Sequence, residues 1–123
     1  MKIIIADDSV TMQRIQQTML ASLGQTDTLL ADSGDAVMEL LAQHQDVGLI
    51  LLDWNMPVMN GIDCLRAIRA NPATKAIPVV MVTSEAVEEK VAFAIQSGAN
   101  GYLTKPFEAK EFETAINRLV SGT

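Results

Sequence analysis

Polar residues able to do chemistry stand directly after short apolar runs in this chain, and they recur at four places. Asp7 and Asp8 follow Lys2–Ala6, Asp53 follows Val47–Leu52, Thr83 and Ser84 follow Ile77–Val82, and Lys105 follows Gly101–Thr104. Each alone has a plain structural use: Asp8 or Ser9 to cap a helix, Asp53 to start a turn, Lys105 as a solvated loop residue. Gathered in one crevice, three carboxylates repel one another unless a cation or a proton intervenes. An all-oxygen site with two or three carboxylates suits Mg2+ or Mn2+. Zinc would want His or Cys, and His44 and Cys64 sit elsewhere in the chain. Magnesium held by few carboxylates commonly completes its shell with water and a phosphate oxygen. The Lys105 ammonium and Thr83 hydroxyl are then available for the other phosphoryl oxygens, and one carboxylate remains to attack phosphorus and form an aspartyl phosphate. No glycine-rich phosphate loop of the GxxxxGK[ST] kind occurs, so a nucleotide is not the evident donor.

These residues can meet only if the elements before them share one edge of a sheet. Apolar runs alternate with helix-period segments five times. Strands are expected at Lys2–Ala6, Thr28–Ala31, Val47–Leu52, Ile77–Val82 and Gly101–Thr104. The helices run over Val10–Leu23, from Ser33 or Gly34, over Gly61–Ala70, over Val87–Ser97 and over Glu108–Val120. Their expected inward faces are Met12, Ile15, Met19 and Leu23; then Val37, Leu40 and Leu41; then Ile62, Leu65 and Ile68; then Val87, Val91, Ala94 and Ile95; and last Phe112, Ile116 and Leu119. Val47–Leu52 is apolar at nearly every position, as in a strand covered on both faces. Such alternation implies right-handed crossovers and an α/β fold, a mostly parallel sheet with helices on both faces. Ligands in such sheets bind beyond the carboxyl ends of the strands, where the polar residues stand.

A length of 123 residues fits a single domain over 1–123, and a hydrophobic share of 49% fits a packed core. The net charge is −6 and no basic cluster occurs, which argues against nucleic acid or an anionic membrane as the main partner. One cysteine excludes an internal disulfide and suits a reducing compartment. The apolar start of MKIIIADD meets two aspartates too soon for a signal peptide, and no apolar stretch approaches the ~20 residues needed to span a bilayer. A cytoplasmic location is the expectation.

Four segments, ADDS, LLDWNMPVMNG, VTSE and GYLTKPF, occur in this order across essentially the whole chain. In these motifs the chain resembles the receiver domains of two-component response regulators, most of all the CheY-like chemotaxis regulators. The resemblance implies a doubly wound five-stranded sheet in the order 2-1-3-4-5, of which CheY is a standard example. It makes Asp53 the phosphoacceptor, and Asp7 and Asp8 the acidic pair that holds Mg2+ with Asp53 and the backbone carbonyl of Asn55. Lys105 becomes the lysine that contacts the phosphoryl group, followed by Pro106 through a cis peptide bond. Thr83 and Tyr102 become the switch pair, and the backbone N–H of Ser84 meets a phosphoryl oxygen. Asn55 and Glu85, two residues beyond the acceptor and two beyond the switch threonine, become the residues that tune self-dephosphorylation. Both are polar and neither is bulky, so water is expected to enter.

The implied partners are a sensor histidine kinase as phosphodonor and a downstream protein on the face of the fourth helix, fifth strand and fifth helix. That protein is the flagellar motor switch if the output is chemotactic. The chain would catalyse only its own phosphorylation and dephosphorylation. Trp54 reads as a hydrophobic anchor, while Cys64 and His44 read as structural or surface residues. Two rivals fit less well. A phosphohydrolase of the haloacid dehalogenase type wants a second acid where Asn55 stands, and a flavodoxin-like flavin carrier wants a hydroxyl- and glycine-rich loop where DDSVTM stands. SGT follows the fifth helix directly, which leaves open a stand-alone regulator or a receiver trimmed from a larger one.

Overall fold

Every apolar run assigned to a strand pairs into one sheet. The computed structural model describes residues 1–120, so the terminal SGT lies outside the described residues. Its elements are β1 (Lys2–Ala6), α1 (Val10–Ser22), β2 (Thr28–Ala31), α2 (Gly34–Gln43), β3 (Val47–Leu52), α3 (Gly61–Ala70), β4 (Val79–Thr83), α4 (Glu88–Gln96), β5 (Gly101–Thr104) and α5 (Ala109–Val120). All four pairings are parallel and the order is β2-β1-β3-β4-β5. The order reverses between β1 and β3, which places the crevice beyond Ala6 and Leu52.

Alternate strand residues feed two cores. Ile3, Ile5, Leu49, Leu51, Val80, Val82 and Leu103 pack with Leu20 of α1 and Phe112 and Ile116 of α5. Ile4, Ala6, Ile50, Leu52, Val79 and Met81 pack with residues of α2, α3 and α4, among them Val37, Leu65 and Ala94. Strands covered on both faces need the nearly continuous apolar runs seen in the sequence.

Three expectations need correction. β4 is Val79–Thr83, not Ile77–Val82. Pro78 has no N–H to give the ladder, and pairing starts at Val79, opposite Ile50. Thr83 is thereby the last residue of the strand and pairs with Thr104. On α1 the buried residues are Gln13, Gln16 and Leu20, while Ile15 is exposed and Met12, Met19 and Leu23 are half-buried. Apolar periodicity misplaces this face because Gln13 enters the interior for its amide, which donates to the carbonyls of Asp7 (2.7 Å) and Ala31 (3.3 Å). On α4 only Ala94 is buried, and Val87, the N-cap, and Ile95 are exposed.

Arg69 joins the end of α3 to the segments that lead into β4 and β5. Its guanidinium donates to the carbonyls of Gly98 (3.0 Å), Lys75 (3.1 Å) and Ile77 (2.7 Å) and to Asn100 Oδ1 (2.8 Å). Burial holds its pKa below the ordinary arginine value, yet it stays charged. Arg69→Ala strands these acceptors and should destabilise the fold by about 2 kcal/mol, lowering Tm by roughly 5–10 °C. Arg69→Lys should recover little, because an ammonium cannot reproduce the planar fork. A thermal melt of Arg69→Ala matching the parent would refute this role.

Candidate functional site

The site begins with the ends of β1 and β3. Asp7 and Asp53 extend the backbone ladders, with Asp7 N–H donating to the Ala31 carbonyl and Asp53 N–H to the Ala6 carbonyl (2.9 and 3.0 Å). Both carboxylates are therefore fixed by the sheet and buried, Asp7 at 0% and Asp53 at 6% exposure. One oxygen of each is held locally. Asp7 Oδ1 accepts from the Ser9 N–H (2.9 Å), and Asp53 Oδ1 accepts from the Trp54 N–H (2.7 Å). Ser9, not Asp8, caps α1, its hydroxyl accepting from the Met12 N–H (3.2 Å). Asp8 is left exposed at the rim.

The other oxygens meet Lys105. Its ammonium donates to Asp7 Oδ2 at 2.6 Å and to Asp53 Oδ2 at 3.0 Å. The Lys105 N–H donates to the Thr83 carbonyl (2.9 Å), and the Lys105–Pro106 peptide is cis. Burial works against the Lys105 cation, but its bonds to Asp7 and Asp53 and their charges outweigh it and hold its pKa above the ordinary lysine value. Burial also raises the Asp7 pKa, only partly offset by Lys105 and the Ser9 N–H. Asp7, Asp8 and Asp53 can each bring a carboxylate oxygen within 4.8 Å of the others. With Lys105 subtracted, three carboxylates leave two negative charges among hard oxygen donors. That charge and donor set fit a divalent Mg2+ or Mn2+ ion.

The neighbouring strands bring the remaining groups. Thr83 is fully buried at the end of β4, and its hydroxyl accepts from the Glu85 N–H (3.3 Å). Ser84 is exposed. Tyr102 on β5 is half-buried and its hydroxyl donates to the Glu85 carbonyl; burial, then Glu85 and Asp53, raises its pKa. Asn55 Nδ2 donates to Glu85 Oε2 (2.7 Å) across the loops that leave β3 and β4. Trp54 is half-buried, 6.4 Å from the Phe93 ring between centroids. His44 caps α2 at the opposite end of the sheet. Cys64 lies buried in α3, its thiol 3.6 Å from the Gly34 carbonyl and pushed up to about 12 by burial, which makes it inert.

Sequence reasoning passed over two glycines that shape the loop after Asp53. A Cβ on Gly61 would lie 2.0 Å from the Asp53 carbonyl oxygen, and one on Gly34 would lie 2.4 Å from that of Met59. Gly61 and Gly34 also donate their N–H groups to the Trp54 and Met59 carbonyls (2.8 and 2.9 Å). The signal available in advance was the NG pair closing LLDWNMPVMNG. Between them Val58 sits at φ 67° and is exposed, a strained position for a β-branched residue.

Comparison with known proteins agrees with this geometry. The chain is 44% identical over 119 residues to the chemotaxis protein CheY of Pseudomonas aeruginosa, covering 97% of this chain and 95% of that one. Two solved structures each have a TM-score of 0.87. One is CheY4 of Vibrio cholerae, at 28% identity with 96% of this chain and 97% of that one covered. The other is the receiver domain of a sensor histidine kinase from Pseudomonas aeruginosa, at 27% identity and 98% coverage of both chains, with a magnesium ion coordinated in its active-site cleft. The model of the response regulator receiver domain matches residues 3–117, and with it the chain takes its place as a member of that family.

Proposed function

We propose that this chain is a single receiver domain over residues 1–123 that takes a phosphoryl group onto Asp53 and passes the signal to a protein partner. The observation that carries this reading is the Lys105 ammonium, bonded at once to Asp7 and Asp53 across 98 residues of sequence from Asp7. A lysine so placed neutralises charge beside a nucleophilic carboxylate. Asp53 attacks phosphorus while the bond to the donor, a kinase phosphohistidine nitrogen, breaks and its electron pair returns to the imidazole. Lys105, the Thr83 hydroxyl and the Ser84 N–H then hold phosphoryl oxygens. Magnesium, held by Asp7, Asp8, Asp53 and the Asn55 carbonyl, would supply further charge neutralisation for the transferring oxygens. Asn55 and Glu85 tune hydrolysis, and no substrate is turned over.

The output follows from the Thr83 hydroxyl and Tyr102, both hydrogen-bonded to the Glu85 backbone. Drawing Thr83 toward a phosphoryl oxygen removes one of these bonds and favours a second arrangement of the loop. The partner binds the face of α4, β5 and α5, where Val87, Phe93 and Ile95 are exposed. The CheY relative supports a chemotactic output, with the flagellar motor switch as the partner. No helix among the described residues is long and apolar enough to cross a membrane, and a cytoplasmic location is part of the reading.

Trp54 tests the metal and phosphoryl steps, because its N–H is bonded to Asp53 and it is the chain's one tryptophan. Titration with Mg2+ should change its fluorescence to saturation, and beryllofluoride should add a second, metal-dependent change. Asp8→Ala should weaken the first step and Asp53→Ala should remove the second. Fluorescence indifferent to both additions, with no metal binding by calorimetry, would overturn the reading.

A further inference from the structure

Lys90, on the first turn of α4, has no part in the site described so far, yet it touches two of the groups beside it. Its ammonium donates to Glu85 Oε1 at 2.7 Å and lies 5.3 Å from the centroid of the Trp54 ring. Glu85 turns its other oxygen to Asn55 Nδ2, also at 2.7 Å. Lys90, Glu85 and Asn55 thus form one chain of charge-assisted hydrogen bonds between the loops after β3 and β4. Glu85 and Asn55 stand two residues beyond Thr83 and Asp53 respectively. α4 is otherwise lightly anchored, with Ala94 as its one buried residue. On its outer side Phe93 meets Trp54, and the Arg66 guanidinium lies 4.9 Å from the Phe93 centroid.

We infer that Lys90 is a positioning residue, the outer arm of a latch that holds Glu85 against Asn55 and slows hydrolysis of the phosphorylated site. The inference rests on the receiver chemistry proposed above. In hydrolysis a water oxygen bonds to phosphorus and the bond to the Asp53 oxygen breaks. The electron pair returns to the carboxylate, inorganic phosphate leaves, and the proton passes to solvent. With the latch closed, the Asn55 amide and Glu85 carboxylate satisfy each other and neither orients that water. The bridge also narrows the approach between the two loops. Releasing Lys90 leaves Glu85 held by Asn55 alone, so the bridge opens more often and the gap widens, and both effects speed hydrolysis.

The test phosphorylates the full chain with acetyl phosphate and Mg2+, removes the donor and follows phosphate release. Lys90→Ala should lose its phosphoryl group about three- to tenfold faster than the parent. Lys90→Arg, which keeps the charge and a donor for Glu85, should stay within about twofold of the parent. In the presence of Glu85→Ala, adding Lys90→Ala should accelerate nothing further, because one latch opens once. A merely structural Lys90 would give neither the rescue by arginine nor this non-additivity. A Lys90→Ala lifetime equal to or longer than the parent's, or multiplicative effects in the double variant, would overturn the latch alone. A parent that accepts no phosphoryl group would overturn the receiver chemistry and the latch with it.

Discussion

Asp53→Asn is expected to take up no phosphoryl group under conditions in which the parent gains one. With acetyl phosphate and Mg2+, mass spectrometry of the parent should show a single added phosphoryl group, stable in acid and lost in base. The substitution preserves shape: the amide oxygen can still accept from the Trp54 N–H, which now meets Asp53 Oδ1 at 2.7 Å. What it removes is the anionic oxygen whose lone pair would attack phosphorus. It also removes the bond to Lys105 at 3.0 Å, because the amide NH2 that takes the place of Asp53 Oδ2 is a donor, as is the ammonium. Uptake should fall to background while the melting curve stays that of a folded domain. Labelling that persists in Asp53→Asn would place the nucleophile on another residue.

Among the described glycines, Gly61 should tolerate a methyl group least, and Gly61→Ala should damage the fold. By helix propensity alone the change is favourable, worth about 1 kcal/mol for alanine over glycine in a helix. Packing decides otherwise. The new Cβ would sit 2.0 Å from the Asp53 carbonyl oxygen, 2.8 Å from its carbon and 2.9 Å from Trp54 Cα. All three are backbone atoms, so no side chain can swing away. Either α3 moves off the sheet, breaking the Gly61 N–H bond to the Trp54 carbonyl, or the peptide after Asp53 rotates. The expected loss of stability is roughly 3 kcal/mol, with Mg2+ binding weakened as well because Asp53 is displaced. Denaturant unfolding and a Mg2+ titration check both. A variant as stable as the parent would show that the loop after Asp53 yields without consequence.

The sheet was legible because its information is local. A run such as Val47–Leu52 states its own burial on both faces, and the glycines and helix-period segments between runs leave little choice but parallel crossovers. From that, the meeting of Asp7, Asp8, Asp53, Thr83 and Lys105 at one edge follows from position in the chain alone. The two misread helix faces share one cause, the use of hydrophobicity as the sole sign of burial. Gln13 on α1 is buried to satisfy two strand-end carbonyls, and Ile95 on α4 is apolar and exposed.

The amino-acid order by itself thus determined which strands exist, that they run parallel, and which polar residues stand at their ends. Only the tertiary structure decided the pairings within that edge: Lys105 between Asp7 and Asp53, Glu85 between Asn55 and Lys90, and the contact that forbids a side chain at Gly61. Strand and helix periods repeat over a few residues and are written in each segment. A hydrogen bond depends on ångström-scale placement of groups brought together from opposite ends of the chain, and that placement exists only once the two cores have packed.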